Sequence, residues 1–314
     1  MNKPKHLTVI GGGITGLVIA YLAAKEGVKV RIIEGSSECG GLLHTFPVGG
    51  TRLEYYYHHF FTHDKEIHWL LNDLGLFNQL VYSKSTMGIF SDGRIYPFNK
   101  PTDLLNFSSL STIDKLRFGL TTLHLGKLAN WRNYENISCL DWFYKYAGSG
   151  STNKIWKPLL TVKFGKYADK VPLAWMIGRL RQRMGSRRNV GDERLGYLKG
   201  SLQVLLDALM DLLTMLDVKV VTNARLIGFE TKDSAISSIS TTNGVFPAET
   251  VVSTIPTCYL APILRTPFPK LALKLGSIEY FGAVCVVLEL KKSLSPVYWL
   301  NIADSSMPFG GIIE

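Results

Sequence analysis

The sequence predicts an α/β protein in which a doubly wound domain is interleaved with an α+β lobe. Three observations carry this prediction: a glycine-rich strand–helix–strand pattern at residues 7–34, further strand patterns at 218–256, and a largely helical stretch at 99–190. With 314 residues, 46% of them hydrophobic, the chain can bury two cores. We therefore predict a discontinuous first domain, 1–75 and 196–260, and a second lobe, 76–195 and 261–314.

The pattern at residues 7–34 indicates a dinucleotide-binding unit. An apolar run, Leu7–Ile10, leads into a G-x-G-x-x-G motif at residues 11–16, and a second apolar run ends at Glu34. Such glycines permit a tight turn, let a pyrophosphate approach the backbone and let the helix pack on the strand. The free N–H groups at the helix N-terminus then face the phosphates. The predicted contacts in this motif are Gly11, Gly13, Ile14, Thr15 and Gly16.

Glu34 and the residues after it indicate which dinucleotide binds. A carboxylate at the end of the second strand can accept hydrogen bonds from both ribose hydroxyls and repels a 2′-phosphate, which disfavours NADP. A Gly40-Gly41 pair follows, which lets a second backbone segment lie close to an extended cofactor. This pair favours FAD over a dehydrogenase that binds NAD alone, although a plain loop turn is the alternative.

A membrane anchor is a rival interpretation of the N-terminal segment. Residues 7–24 carry no charge and follow Lys3 and Lys5, as in a signal anchor. The four glycines between residues 11 and 16, and the continuation into a strand with an acidic end, argue against it. We expect a soluble, cytoplasmic protein.

Apolar periodicity and turn residues predict the remaining elements. We expect helices at 66–74, closed by Gly75, and at 201–216, a hairpin at 86–98 around Asp92-Gly93, and a loop at 196–200. The predicted strands are 218–222, 226–229, 236–240, 251–255 and 281–290. The strand at 251–255 is expected to return to the first sheet.

Charge and cysteine content limit the partners. A net charge of +10 suggests an anionic partner: a phosphate, a nucleotide-sugar, a porphyrin carboxylate or an acidic membrane surface. No nucleic-acid motif is visible. The four cysteines lie far apart and form no CxxC, which fits a reducing compartment and does not fit a structural zinc site.

Two further segments invite a functional interpretation. His59 and His63 are four residues apart in an aromatic-rich stretch, but spacing fixes no third metal ligand, so we predict no metal site. Packing at a lobe junction is the alternative for this stretch. The other segment, residues 179–194, is rich in arginine: Arg179, Arg181, Arg183, Arg187, Arg188 and Arg194. It is interpreted as a solvated helix face, an anion site or a membrane-surface contact.

Taken with these motifs, several blocks resemble FAD-dependent oxidoreductases of the flavin amine oxidase superfamily, in the protoporphyrinogen-oxidase-like branch. The matching blocks are GGGITG, Glu34, Gly40-Gly41, SDGRIYPF (91–98), IWKPLLTVKFG (155–165), GYLKGSLQVLLDAL (196–209) and VVSTIP (251–256). The resemblance implies a Rossmann-like FAD domain, a substrate lobe over the flavin ring, and hydride transfer to flavin N5 without a side-chain nucleophile. It also implies that Leu226 meets the adenine through its backbone, and that His58 and Thr254 lie near the cofactor.

Departures from the family pattern define the alternatives. Leu42 stands where the family usually has an arginine after the glycine pair, and we keep it among the cofactor contacts. Ala283–Val286 lack the lysine of amine oxidases, which favours desaturation of a carbon skeleton over amine oxidation. Relatives continue beyond the match to Glu314, so we expect a truncated chain with incomplete FAD binding. The rival functions are a flavin-dependent nucleotide-sugar mutase and an inactive FAD-binding fragment.

Overall fold

The computed structural model describes residues 4–186, 192–304 and 306–314. The strands are β1 (His6–Ile10), β2 (Lys29–Ile33), β3 (Thr45–Val48), β4 (Thr51–Glu54), β5 (Phe60–Phe61), β6 (Leu80–Lys84), β7 (Met87–Ser91), β8 (Arg94–Pro97), β9 (Arg194–Leu198), β10 (Lys219–Val221), β11 (Leu226–Lys232), β12 (Ala235–Thr241), β13 (Gly244–Pro247), β14 (Thr250–Ser253), β15 (Trp299–Ile302) and β16 (Gly311–Ile313).

The helices are α1 (Ile14–Lys25), α2 (Lys65–Asp73), α3 (Pro101–Leu105), α4 (Thr112–Lys127), α5 (Cys139–Tyr146), α6 (Ser149–Ser151), α7 (Lys157–Phe164), α8 (Leu173–Gly185), α9 (Gln203–Met215), α10 (Thr257–Leu264) and α11 (Pro269–Gly276). A π-helical turn, Thr152–Trp156, joins α6 to α7. None of the helices in the described part of the chain is long and apolar enough to cross a membrane.

The chain divides into two compact units. The first comprises Met1–His58, His68–Leu80 and Leu198–Val287, and the second comprises His59–Ile67, Val81–Tyr197 and Leu288–Glu314. Residues 261–287 therefore cluster with the first unit, whereas the sequence analysis places them in the second lobe. The assignment of domains by function stays a prediction.

A four-stranded parallel sheet organises the first unit. Its strand order is β10-β2-β1-β14, and every neighbouring pair is parallel. Val9 and Ile32 on its central strands are fully buried, as expected for a sheet covered on both faces. Helices α1 and α9 pack together, with α1 crossing between β1 and β2. The return of β14 to this sheet, predicted from sequence, is confirmed.

Smaller sheets complete the first unit. Strands β11, β12 and β13 form an antiparallel meander, and β3 and β4 form a hairpin. The turn between β12 and β13 consists of Thr242 and Asn243. Buried side chains of β11 and β12 join the ends of β1 and β2 in one apolar cluster.

The second unit is a helical layer with two sheets. Strands β16, β15, β7 and β8 form a mixed sheet, and β5, β9 and β6 form another. The predicted hairpin is confirmed by β7 and β8, which pair antiparallel around Asp92-Gly93. In the helical core, Trp156 stacks between Phe143 at 4.3 Å and Phe118 at 4.8 Å, centroid to centroid. Trp156, which is 5% exposed, is thus a core residue.

Two elements differ from the prediction. Residues 281–290 form no strand, and Val284 is 94% exposed. An apolar β-branched run becomes a strand only where another strand supplies its backbone partners, and no described strand pairs with this run. Conversely, the predicted loop at 196–200 begins as the end of β9, where Gly196 pairs with Phe60. The glycines at 196 and 200 suggested a loop. The hydrogen-bonding partner of β9 is β5, which lies more than 130 residues earlier in the chain and could not be recognised from the local pattern.

Candidate functional site

Three of the predicted cofactor contacts lie at the carboxyl edge of the parallel sheet. The last residue of β1 is in register with the last residues of β2 and β14. The residues that follow these three strands, Gly11, Glu34 and Thr254, therefore emerge at one edge. In open α/β sheets, ligands bind in the crevice at this edge.

The turn from β1 to α1 is tight. Gly11 has φ +105°, a conformation that side chains other than glycine rarely adopt. Its N–H donates to the carbonyl O of Ile33 at 2.9 Å, which ties the turn to β2. A Cβ on Gly16 would collide with the carbonyl O of Gly11. Only glycine at position 16 lets α1 start this close to β1.

A second glycine segment lies directly against the first. The N–H of Gly40 donates to the carbonyl O of Gly12 at 2.9 Å, and Gly40 forms a parallel bridge with Gly13. A Cβ on Gly41 would lie 3.0 Å from the Cα of Gly13. Side chains at these positions would push the two segments apart. The paired backbones form a surface without side chains, here called the glycine floor (residues 11–13, 40 and 41).

Glu34 is fixed at the rim of the glycine floor by two backbone donors. Its Oε2 accepts from the N–H of Gly12 at 2.6 Å, and its Oε1 accepts from the N–H of Ser36 at 2.8 Å. The carboxylate is half-buried and its orientation is set before any ligand arrives. Neither donor was among the predicted residues. Gly12 could have been predicted from its position, because it is the middle residue of the G-x-G motif and its N–H lies in the same turn.

Cys39 covers this carboxylate. Its thiol lies close enough to Gly12 that a Cβ on Gly12 would be 2.5 Å from the sulfur. Burial, with a smaller contribution from the Glu34 charge, raises the pKa of Cys39 to about 11. The side chain is therefore a neutral thiol, which adds no second negative charge beside Glu34.

Thr254 supports the loop from below. Its Oγ1 lies 3.1 Å from the carbonyl O of Ile10 and 3.2 Å from that of Gly11, and it donates to both. Its hydroxyl proton is thus engaged by the main chain of the turn. This geometry makes Thr254 a brace for the glycine turn.

The other predicted contacts are less closely grouped. Thr15 is exposed in the first turn of α1, beside Ile14, and Leu226 is 6% exposed at the start of β11. Leu42 is 68% exposed. The Nδ1 of His58 lies 2.6 Å from the carbonyl O of Tyr56, a local contact outside the glycine floor. No described contact brings His58 to the G-x-G-x-x-G motif, and its cofactor role stays a prediction.

One buried carboxylate near this edge was missed from sequence. Glu54 is 3% exposed, and its Oε1 accepts from the N–H of Leu202 at 2.7 Å, at the start of α9. A carboxylate at a helix N-terminus satisfies an otherwise unpaired donor. Because 148 residues separate the partners, no local sequence signal indicates the contact.

The site fits the diphosphate of a dinucleotide. Gly13 begins α1 without a side-chain cap, and the first turn of the helix carries no acid. Its free N–H groups and positive dipole end are thus available to an anion. A Cβ built on Gly13 meets only the Cα of Gly41, at 3.8 Å. The space above the glycine floor can therefore hold phosphate oxygens, while Glu34 can hold a ribose.

The histidine-rich stretch packs against aromatic rings in the second unit. The ring of His59 lies edge-on to Phe61 at 5.1 Å and to Trp299 at 6.3 Å. The ring of His63 is tilted against that of Phe61, with the two centroids 5.7 Å apart. Within residues 4–186, 192–304 and 306–314, no group of three or more His, Cys, Asp or Glu side chains is arranged to hold a metal ion.

Comparison with known proteins identifies the family. Residues 14–309 match the model of the flavin containing amine oxidoreductases. The chain belongs to this family. The match includes the first helix of the glycine motif and runs through both compact units.

Among curated proteins, the chain is similar to two bacterial coproporphyrinogen III oxidases. It is 24% identical over 196 residues to that of Propionibacterium freudenreichii, covering 59% of this chain and 36% of the relative. It is 26% identical over 185 residues to that of Bacillus subtilis, covering 54% of this chain and 38% of the relative. These matches thus span little more than a third of each relative's length.

Solved structures share the fold. A provisionally named protoporphyrinogen oxidase from Exiguobacterium sp. 255-15 superposes with a TM-score of 0.70 at 20% identity, over 98% of this chain and 72% of that one. A reduced UDP-galactopyranose mutase gives 0.67 at 15% identity, over 98% and 69%. These likenesses show that the fold is shared and are too distant to assign a reaction.

Proposed function

We propose that this protein is an FAD-dependent oxidoreductase that removes hydride from a medium-sized organic substrate. The observation that carries the proposal is the Glu34 carboxylate, oriented by the N–H groups of Gly12 and Ser36 beside the glycine floor. A carboxylate set at the end of β2 suits the adenosine ribose of a dinucleotide. Family membership supports a flavin as that dinucleotide.

The chain's residues have defined tasks in this proposal. The first turn of α1 binds the diphosphate through its free N–H groups. Thr254 holds the turn in place, and Cys39 packs as a neutral side chain beside Gly12 and Glu34. When bound, the flavin would accept a hydride, that is two electrons and one proton, from a substrate C–H bond, while the second hydrogen would leave the substrate as a proton. Oxygen or another oxidant would take up the two electrons, with two protons, to close the cycle. The protein's contribution is binding, orientation and exclusion of water.

Desaturation of a carbon skeleton is the preferred reaction within this class. Residues 283–286 carry no lysine that could serve an amine oxidase. The relatives from Propionibacterium freudenreichii and Bacillus subtilis are named as oxidases of a porphyrinogen, which supports oxidation of carbon centres.

A mutase of nucleotide-sugars is the second candidate. It is favoured by the fold shared with UDP-galactopyranose mutase and by the cationic face of α8, which would suit a diphosphate. The two reactions differ in electron balance, because a mutase returns its electrons to the product and needs no oxidant in steady state.

Absorbance of the purified protein between roughly 350 and 500 nm tests the cofactor. We expect the two flavin bands, and release of FAD on denaturation. Oxygen consumption with candidate porphyrinogens then tests the reaction. A colourless protein that also fails to take up added FAD would refute the proposal. Flavin turnover without any oxidant would favour the mutase.

A further inference from the structure

A cavity in the second unit combines aromatic walls with cationic side chains. Its volume is about 810 Å³, within the range of small-molecule sites. Helix α8 forms one wall, and Trp131 and Trp175 contribute their rings. Arg179 and Arg181 of α8 reach the cavity, and Glu135 is the acid in its wall. All these residues belong to the second unit, whereas the glycine floor belongs to the first.

More positive charge surrounds this cavity than its acids neutralise. Lys163 and Arg179 both lie over the ring of Trp175, at 5.8 and 5.9 Å from its centroid. Burial, followed by the nearby charges of Arg179 and Arg183, lowers the pKa of Lys163. Arg183 is bound by Glu193 at 3.0 Å. The described cations of this face therefore outnumber Glu135 and Glu193.

Hydrogen bonds hold two of the cations in place. Nη1 of Arg179 donates to Oε1 of Gln182 at 3.0 Å, and Nη1 of Arg181 donates to the carbonyl O of Ala129 at 3.4 Å. A guanidinium has five N–H donors in a planar fork, so it can bind an anion while it keeps a protein partner. Clustered like charges cost free energy unless an anion compensates them.

A glycine inside α8 keeps the cavity open. Gly178 lines the cavity, and a Cβ built on it meets no atom within 4 Å. Glycine in a helix interior is unfavourable relative to alanine. Nothing in the packing requires glycine here, so a larger side chain at position 178 would project into the cavity and take ligand space.

We infer that this cavity binds an organic anion, with an aromatic or apolar body against Trp131 and Trp175 and a phosphate or carboxylate group at Arg179 and Arg181. The apolar walls exclude a bare inorganic ion as the preferred ligand, because such an ion would leave the tryptophan rings uncovered. Arginine suits both acidic groups, since its planar fork matches their oxygens.

Equilibrium dialysis of the purified full chain with matched probes tests the inference. The probes are 1-naphthyl phosphate, 1-naphthoate, 1-naphthol and inorganic phosphate. We expect one or both naphthyl anions to bind at least about tenfold more tightly than naphthol and inorganic phosphate. The stronger of the two anions identifies the acidic group. Equal binding of naphthol, or no binding of either anion, would overturn the inference.

Variants locate the binding. Arg179→Gln should weaken the preferred anion by about tenfold or more, because a charged hydrogen-bond donor is lost. Gly178→Leu should block the cavity, whereas Gly178→Ala, which gains similar helix propensity with less volume, is the matched control. Arg265→Gln removes one exposed charge in the other unit and should leave binding unchanged. If Arg179→Gln and Gly178→Leu both bind like the natural chain, the anion lies elsewhere.

The flavin absorbance of each variant is recorded in parallel. It should not change, because no substituted residue touches the glycine floor. Anion binding that persists in a protein without flavin would leave this inference intact while the proposed function fails.

Discussion

The glycine floor and the cavity beside α8 bind through different parts of the chain. The floor presents backbone N–H groups and bare Cα atoms, with one carboxylate held by two amides. The cavity presents tryptophan rings, and guanidinium groups that belong to side chains of α8. In a site formed by the backbone, one added side chain should abolish ligand binding. In a site formed by side chains, each substitution should remove only part of the affinity. Four predictions test that contrast.

The largest effect is expected at Gly13, where an added side chain takes the place of the ligand. Gly13→Val should abolish flavin binding, because its methyl groups would occupy the space for the diphosphate. Its Cβ meets only the Cα of Gly41 at 3.8 Å, so the fold should persist. Flavin content and circular dichroism check both parts. A folded variant that purifies with full flavin would show that the phosphates bind elsewhere.

The reactivity of Cys39 reports whether solvent and reagents reach the rim of the glycine floor. Since burial raises its pKa to about 11, its thiolate fraction near pH 8 should be about two orders of magnitude below that of an ordinary thiol. Alkylation followed by mass spectrometry should label exposed Cys258 first and Cys39 far more slowly. Raising the pH towards 11 should accelerate labelling of Cys39. Equal rates at pH 8 would mean that the rim is open.

Glu34 is the side chain at the rim of the floor that would bind the ribose. Glu34→Ala should weaken FAD by roughly 1.5–3 kcal/mol, typical for loss of hydrogen bonds to a charged acceptor. It also leaves the N–H groups of Gly12 and Ser36 without their acceptor. Glu34→Gln, which keeps one acceptor, is the matched control and should lose less. Titration of the unloaded variants with FAD measures both, and unchanged affinity in Glu34→Ala would contradict the ribose assignment.

The smallest effect is expected at the ion pair beside the cavity. Glu193 is 6% exposed and binds Arg183 at 3.0 Å. Glu193→Gln should reduce the free energy of unfolding by about 1–3 kcal/mol, because a charged hydrogen bond is lost in a partly buried setting. It should also strengthen anion binding, because removal of one negative charge increases the net positive charge around the cavity. Urea unfolding and the dialysis assay report the two effects, and weaker anion binding would argue against electrostatic attraction.

Local patterns predicted the elements whose partners lie nearby in the chain. The β7–β8 hairpin follows from Asp92-Gly93, which adopts the positive φ angles of a tight turn, +51° and +72°. The strand–helix–strand unit and the edge at which Gly11 and Glu34 emerge follow from one 30-residue pattern. The predicted strand at 281–290 was wrong because its apolar pattern says nothing about a pairing partner. Strand β9 was not predicted for the same reason, because its pairing partner Phe60 is distant in the sequence.

The sequence by itself determined the family fold, the glycine motif and the position of the acid after β2, because each depends on residues within a few turns of one another. Tertiary structure alone decided that Gly40 lies on Gly13, that Cys39 covers Glu34 and that Glu54 caps α9. It also decided that Trp131 and Arg179 share a cavity. Such contacts are set by packing between distant segments, where volume and burial select the neighbour and local spacing carries no information.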